Sequence, residues 1–136
     1  SLHDALPISP KLIASLPDKL RAAQETFAKT GGLHASGLFD LGGNLVVLRE
    51  DVGRHNALDK LVGAMAKRGV DVANGFAIVT SRASYEIVTK AAAAGIRHVA
   101  AVSGATALAM SIAERTGVRL AAFARPGSST ACGRLD

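Results

Sequence analysis

Over residues 10–29, apolar side chains recur at three- and four-residue spacing: Leu12, Ile13, Leu16, Leu20, Ala23 and Phe27 share one face. That period predicts an amphipathic helix. Pro17-Asp18 offers an alternative start, with proline at the first helical position. Thr30-Gly31-Gly32 ends the pattern. Residues 35–40 and 44–49 are short strand-like runs, and Leu41-Gly42-Gly43 between them predicts a β-hairpin. The polar residues 50–56 then lead into a helix reaching about Lys67. Its Ala57, Leu58, Leu61, Val62 and Met65 fall on one face, and Gly69 closes it.

From there the rhythm is strand, then helix. Residues 76–80 and 98–102 read as apolar strands. Each precedes a helix, residues 85–94 and 105–116, stopped by Gly95 and Gly117. Residues 119–124 form the last strand. Such alternation implies parallel pairing with right-handed crossovers. The unbroken apolar runs suit strands buried on both faces. The predicted fold is α/β, a three-layer αβα sandwich whose mixed sheet includes the N-terminal hairpin. A length of 136 residues suits one domain.

Composition narrows the classes. Aromatic residues are 4% of the chain and Trp is absent, so the core rests on Ala, Val, Leu and Ile. The net charge of +5 is spread out, without a basic run interleaved with aromatics, which disfavours a nucleic-acid partner. Residues 91–110 are the longest apolar candidate and are broken by Arg97 and His98, so no membrane span is expected. No secretory signal is visible, and the expected location is cytoplasmic. Residues 1–8 lack an initiator Met and resemble a translated sequencing adapter. They are expected to be an artefact, with the domain proper spanning residues 9–136. The single cysteine, Cys132, excludes an internal disulfide and a multi-cysteine zinc site.

Candidate chemistry gathers where strands end. Ligands of open α/β sheets bind at the carboxyl ends of parallel strands. Thr80-Ser81-Arg82-Ala83-Ser84 and Ser103-Gly104-Ala105-Thr106 both lead into helix N-termini, which favour anions. Ser81, Ser84, Ser103 and Thr106 would add hydroxyls and Arg82 a fixed charge, a cradle for phosphate. The plainer reading is that these Ser and Thr residues cap helices. In the loop over residues 50–56, Asp51 and Arg54 are expected to pair. Gly53 suggests a positive φ or a close backbone approach, and His55 titrates near neutrality. Asp59 and Lys60 read as a solvated helix face, or as partners of Arg54 or Asp51. His34 could reach the same site across the sheet edge, whereas His98 at a strand start reads as structural. Arg125, Gly127 and Ser128 suit either a further phosphate contact or a plain turn.

Glu50-Asp51-Val52-Gly53-Arg54-His55-Asn56-Ala57-Leu58-Asp59-Lys60 closely resembles the signature of the formate dehydrogenase accessory sulfurtransferase family, FdhD. Thr30-Gly31-Gly32-Leu33-His34-Ala35, residues 80–86, residues 101–106 and residues 123–127 resemble that family in the same order. The resemblance implies a cytidine-deaminase-like fold, usually dimeric. It implies transfer of sulfur from a cysteine desulfurase to the molybdenum or tungsten bis(molybdopterin guanine dinucleotide) cofactor, destined for formate dehydrogenase. It also places a cofactor-binding segment on Phe123, Ala124, Arg125, Pro126, Gly127 and Ser128. Two departures stand out. The family's sulfur-carrying Cys-x-x-Cys loop has no counterpart in these residues, so the chain is expected to be the C-terminal part of a longer protein. Residues 131–136 also leave the family pattern, and Cys132 does not inherit the carrier role. One competing function is a guanine-nucleotide-binding or interaction module without catalysis. Another, a zinc deaminase, needs His-x-Glu or Cys-x-Glu and Pro-Cys-x-x-Cys. Here His34 is followed by Ala35-Ser36 and no cysteine pair exists, so no metal is expected.

Overall fold

The computed structural model describes residues 10–27, 34–70, 75–102, 104–125 and 128–132. The element order is α1 (Pro10–Phe27), β1 (His34–Asp40), β2 (Leu45–Asp51), α2 (Arg54–Arg68), β3 (Gly75–Val79), α3 (Tyr85–Ala93), β4 (His98–Ala101), α4 (Ala107–Thr116), β5 (Arg119–Arg125) and β6 (Ser128–Cys132). One six-stranded sheet has the order β2-β1-β3-β4-β5-β6. β3, β4 and β5 pair in parallel, and the hairpin joins them through an antiparallel β1–β3 ladder. The expected α/β sandwich with a mixed sheet is what forms.

Strand alternation divides the core between two faces. On one face Leu58, Leu61 and Met65 of α2, Ile87 and Val88 of α3, and Ala109 and Ala113 of α4 pack on Leu38, Val47, Ala77, Val79, Val99 and Leu120. On the other, Leu16 and Leu20 of α1 pack on Phe39, Phe76, Ile78, Ala100 and Ala121. Consecutive crossovers of one hand place α2, α3 and α4 on the same side. Their N-termini consequently open at one edge of the sheet, where the parallel strands end.

α1 begins at Pro10, as the periodicity predicts, with Pro17 inside it, so the alternative start at Pro17 is not taken. Two sequence expectations change. β2 extends to Asp51, which turns the start of the expected polar loop into a strand end. After the last predicted strand the sequence reading has no further element, whereas Ser128–Cys132 forms β6, antiparallel to β5. Helix ends behave as predicted, with Gly69 and Gly117 in the left-handed region at φ 64° and 76° after α2 and α4.

Candidate functional site

The β3–α3 and β4–α4 connections run side by side. Val102 N–H donates to the Val79 carbonyl, Ala83 N–H to the Gly104 carbonyl and Thr106 N–H to the Ala83 carbonyl, at 3.0, 2.8 and 3.1 Å. Ala83 and Ala105 form a parallel bridge. The ladder between β3 and β4 thus continues past the strands and sets the N-termini of α3 and α4 next to each other. Small residues make this approach possible: Ala83 is fully buried between the loops.

Beside these N-termini lies a cavity of about 500 Å³ lined by His34, Arg54, Thr80, Ser81, Arg82, Ser84 and Thr106. Six of these residues were singled out in the sequence. Thr80 is the addition. Its hydroxyl accepts from Ala35 N–H at 2.9 Å, and its own N–H donates to the Ala35 carbonyl at 3.0 Å. Those bonds hold the start of β1, and with it His34, against the end of β3. The signal for Thr80 was its place as the final residue of an apolar run.

The hydroxyls combine the two readings that the sequence left open. Ser84 Oγ accepts from Ile87 N–H at 3.3 Å and Thr106 Oγ1 from Ala109 N–H at 3.1 Å, so both cap helices. A capping oxygen still carries its own O–H: that of Ser84 goes to the Glu86 carboxyl, and that of Thr106 is available to donate. Ser81 Oγ donates to the Arg82 carbonyl at 3.2 Å, so its proton is engaged within the loop. Among the described residues, Arg54 at the start of α2 and Arg82 make no ion pair, and both are exposed. The site therefore presents two free guanidinium groups and two helix N-termini to one space.

Glu86 lies in the first turn of α3. Its own backbone N–H and the Ser84 hydroxyl hold its carboxyl below the ordinary value, and the nearby His55 and Arg54 charges add to this. Glu86 thus partly balances the Arg54 charge.

The loop before α2 differs from expectation. Asp51 does not pair with Arg54. Its carboxylate meets Lys60 Nζ at 2.7 Å and accepts from Gly53 N–H at 2.9 Å. About one and two-thirds helical turns separate Arg54 from Lys60, so the two side chains leave α2 in different directions: Lys60 reaches back to Asp51 and Arg54 lines the cavity. Gly53 is not at positive φ; it is extended at φ −100°, although a Cβ there would come within 3.2 Å of the Asn56 side chain. Asp59 pairs with Lys90 of α3 at 2.9 Å rather than with Arg54. Asp51 and His55 do not line the cavity; Asp51 braces the loop that presents Arg54. Phe123, Ala124 and Arg125 close β5 and Ser128 opens β6, at the same sheet edge as the cavity. Ser103, Pro126 and Gly127 lie outside the described residues.

The Asp51 contacts carry a pH signature. Its pKa is lowered from 3.8 to about 2, first by the Lys60 hydrogen bond and then by Gly53 N–H. A carboxylate with a depressed folded value stabilises the fold above its unfolded pKa, and that contribution is lost as pH falls through the folded value. Asp51→Asn is therefore expected to flatten the loss of thermal stability between pH 3.8 and about 2. Melting followed by circular dichroism checks it; an unchanged acid limb would remove Asp51 from this role.

Residues 1–131 match the model of the FdhD/NarQ family. The chain belongs to that family. It is 52% identical over 124 residues to the Sulfur carrier protein FdhD of Xanthomonas euvesicatoria, covering 91% of this chain and 44% of the relative. It is 48% identical over 131 residues to that of Streptomyces avermitilis, covering 94% and 46%. The chain thus spans a little under half the length of these relatives. Among solved structures, a formate dehydrogenase accessory protein from Desulfotalea psychrophila matches with TM-score 0.79 and 29% identity, over 90% of this chain and 55% of that one. A dCMP deaminase from cyanophage S-TIM5 matches with TM-score 0.60 at 12% identity, over 85% and 99%. The last likeness is one of fold: the FdhD/NarQ chain shares the deaminase architecture. Among the described residues no three His, Cys, Asp or Glu side chains gather as metal ligands. None of the described helices is long and apolar enough to cross a membrane.

Proposed function

We propose that this chain is the substrate-binding part of a sulfur carrier in formate dehydrogenase maturation. Its substrate is the molybdenum or tungsten bis(molybdopterin guanine dinucleotide) cofactor, bound by its phosphates at the edge where β3 and β4 end. In this reading sulfur originates from a cysteine desulfurase, the loaded cofactor goes on to formate dehydrogenase, and the chain works as a homodimer in the cytoplasm. The observation that carries the binding role is the convergence of Arg54, Arg82 and the capped N-termini of α3 and α4 on one cavity.

The residues fit a diphosphate. Guanidinium groups supply planar paired donors matched to phosphate oxygens. The helix N-termini supply oriented N–H dipoles of the same sign. The Thr106 hydroxyl can donate while it caps. Arg125 and Ser128, paired at the end of the β5–β6 ladder, lie at the same edge, in keeping with the cofactor contact that the family resemblance implies for residues 123–128. These residues bind and orient; none is assigned a covalent step. The one thiol, Cys132, lies in β6, where its backbone pairs with Leu120 at the beginning of β5, the opposite end of that strand from Arg125.

Calorimetry with GDP tests the reading, since GDP carries the base and the diphosphate without the pterin. Wild-type protein is expected to bind it. Arg82→Ala is expected to weaken binding by about 1.5–3 kcal/mol, the range of a hydrogen bond to a charged group. Equal affinity in wild type and variant would take Arg82 out of the site, and no binding by the wild type would sink the proposal.

A further inference from the structure

A second group of cations sits at the other end of the sheet, on the opposite face. His98 and Arg119 are register partners at the starts of β4 and β5. Each stands two residues before an alanine, Ala100 and Ala121, that belongs to the core beneath α1. Alternation therefore directs both side chains to the α1 face. The His98 ring lies 5.4 Å from that of Phe76, a member of the same core, at 54°.

Both side chains are buried, with His98 4% and Arg119 1% exposed. Nε and both terminal nitrogens of Arg119 lack a hydrogen-bond partner. The His98 ring nitrogens make no well-aligned hydrogen bond, and the Gly75 carbonyl lies near enough to favour the ring's protonated form. Among the described residues no carboxylate pairs with either. The charges that act on His98 are those of Arg119 and of Arg97 next to it. Arginine keeps its proton in proteins, so it cannot escape burial by becoming neutral. An isolated buried charge is strongly unfavourable unless an opposite charge and hydrogen bonds meet it. Sheet packing explains Phe76, Ala100 and Ala121 beneath α1; it does not explain a guanidinium in that row.

We propose that Arg119 and His98 form an oxyanion-binding site, separate from the cavity at the strand carboxyl ends, with Arg97 adding positive charge from the surface. The ligand chemistry follows from the donors. A guanidinium is a planar fork with five N–H donors and no acceptor, and it pairs two-pronged with carboxylate or phosphate oxygens. His98, held neutral with its pKa lowered to about 4 by burial and by the Arg119 charge against the opposing pull of the Gly75 carbonyl, adds one N–H, which an oxyanion takes over from that carbonyl. A group rich in acceptors and negatively charged satisfies both. The site takes a carboxylate or a phosphate oxyanion, and two titrations distinguish them.

The test uses NMR of the whole chain, following the Arg119 Nε–H and the His98 ring during additions of acetate and, separately, phosphate. Chloride at matched ionic strength is the control. The expected result is a saturable shift of both resonances with at least one oxyanion, and a His98 titration midpoint that moves up by about one pH unit or more, as an adjacent anion requires. Saturation by acetate alone assigns a carboxylate, and by phosphate alone a phosphoryl group. In Arg119→Met the saturable response of His98 is expected to vanish. His98→Gln, which leaves Arg119 in place, is expected to keep the response at Nε–H in weakened form. Shifts no larger than those with chloride, or a His98 response that persists in Arg119→Met, would overturn the proposal. The wild-type titrations decide the matter even if a variant fails to fold.

Discussion

Removing both free arginines of the strand-end cavity is expected to all but abolish GDP binding. Arg54 and Arg82 reach that cavity from different elements, the first turn of α2 and the β3–α3 loop, and neither makes an ion pair among the described residues, although the Glu86 charge acts on Arg54. If each makes one charge-assisted bond, the double alanine variant loses about 3–6 kcal/mol, which is roughly two to four orders of magnitude in dissociation constant. Both act on one diphosphate, so their effects need not add, and the double-mutant cycle reads the coupling directly. Charge and geometry separate in a further pair of variants. Arg54→Lys and Arg82→Lys keep the charge and lose the planar fork, so they are expected to bind more weakly than wild type yet better than alanine. Calorimetry at two salt concentrations completes the test: the alanine variants should be the less salt-sensitive. A double variant that binds GDP as wild type does would place the nucleotide elsewhere.

The largest stability effect is expected at Leu61. This residue of α2 is fully buried in the main core, in the helix that carries the chain from β2 across to β3. Leu61→Ala removes three carbons from a closed environment, and such truncations cost about 2–5 kcal/mol through lost transfer energy and residual cavity. Leu61→Met, which conserves volume, is expected to cost less than about 1.5 kcal/mol. Urea unfolding followed by circular dichroism measures both; a loss under about 1 kcal/mol for alanine would mean that the helix does not pack as described. Since α2 also holds Arg54 at its first turn, the same variant should weaken GDP binding only so far as it loosens that turn.

Much of this arrangement was legible because it depends on local chemistry. The apolar runs of β3 and β4, the glycine stops of α2 and α4, and the hydroxyl residues that precede α3 and α4 each announce themselves within a few positions. What escaped depends on partners distant in sequence or on residues without a pattern. β6 is made of Ser, Thr, Ala and Cys after Pro126-Gly127, and only its pairing with β5 makes it a strand. For Asp51 the sequence offers both Arg54 and Lys60 as partners, and helix geometry selects Lys60, a choice settled only once α2 has a direction. The strand order was open as well: a hairpin followed by parallel units does not say that β1 sits between β2 and β3. His98 read as an ordinary histidine, and Arg119 as the first residue of a strand. Their burial side by side follows from register, which no single segment contains.

The bridge between Ala83 and Ala105 has a consequence for how a ligand is received. A flexible loop that closes on a phosphate loses conformational freedom at the moment of binding, and measured affinity falls by that amount. Here the two loops are tied to each other by backbone hydrogen bonds on both sides of the bridge, from Ala83 to Gly104 and from Thr106 to Ala83. Their entropy is lost when the sheet forms. A ligand that spans the two helix N-termini meets donors already fixed in spacing and direction, and its recognition depends on fit to a rigid frame.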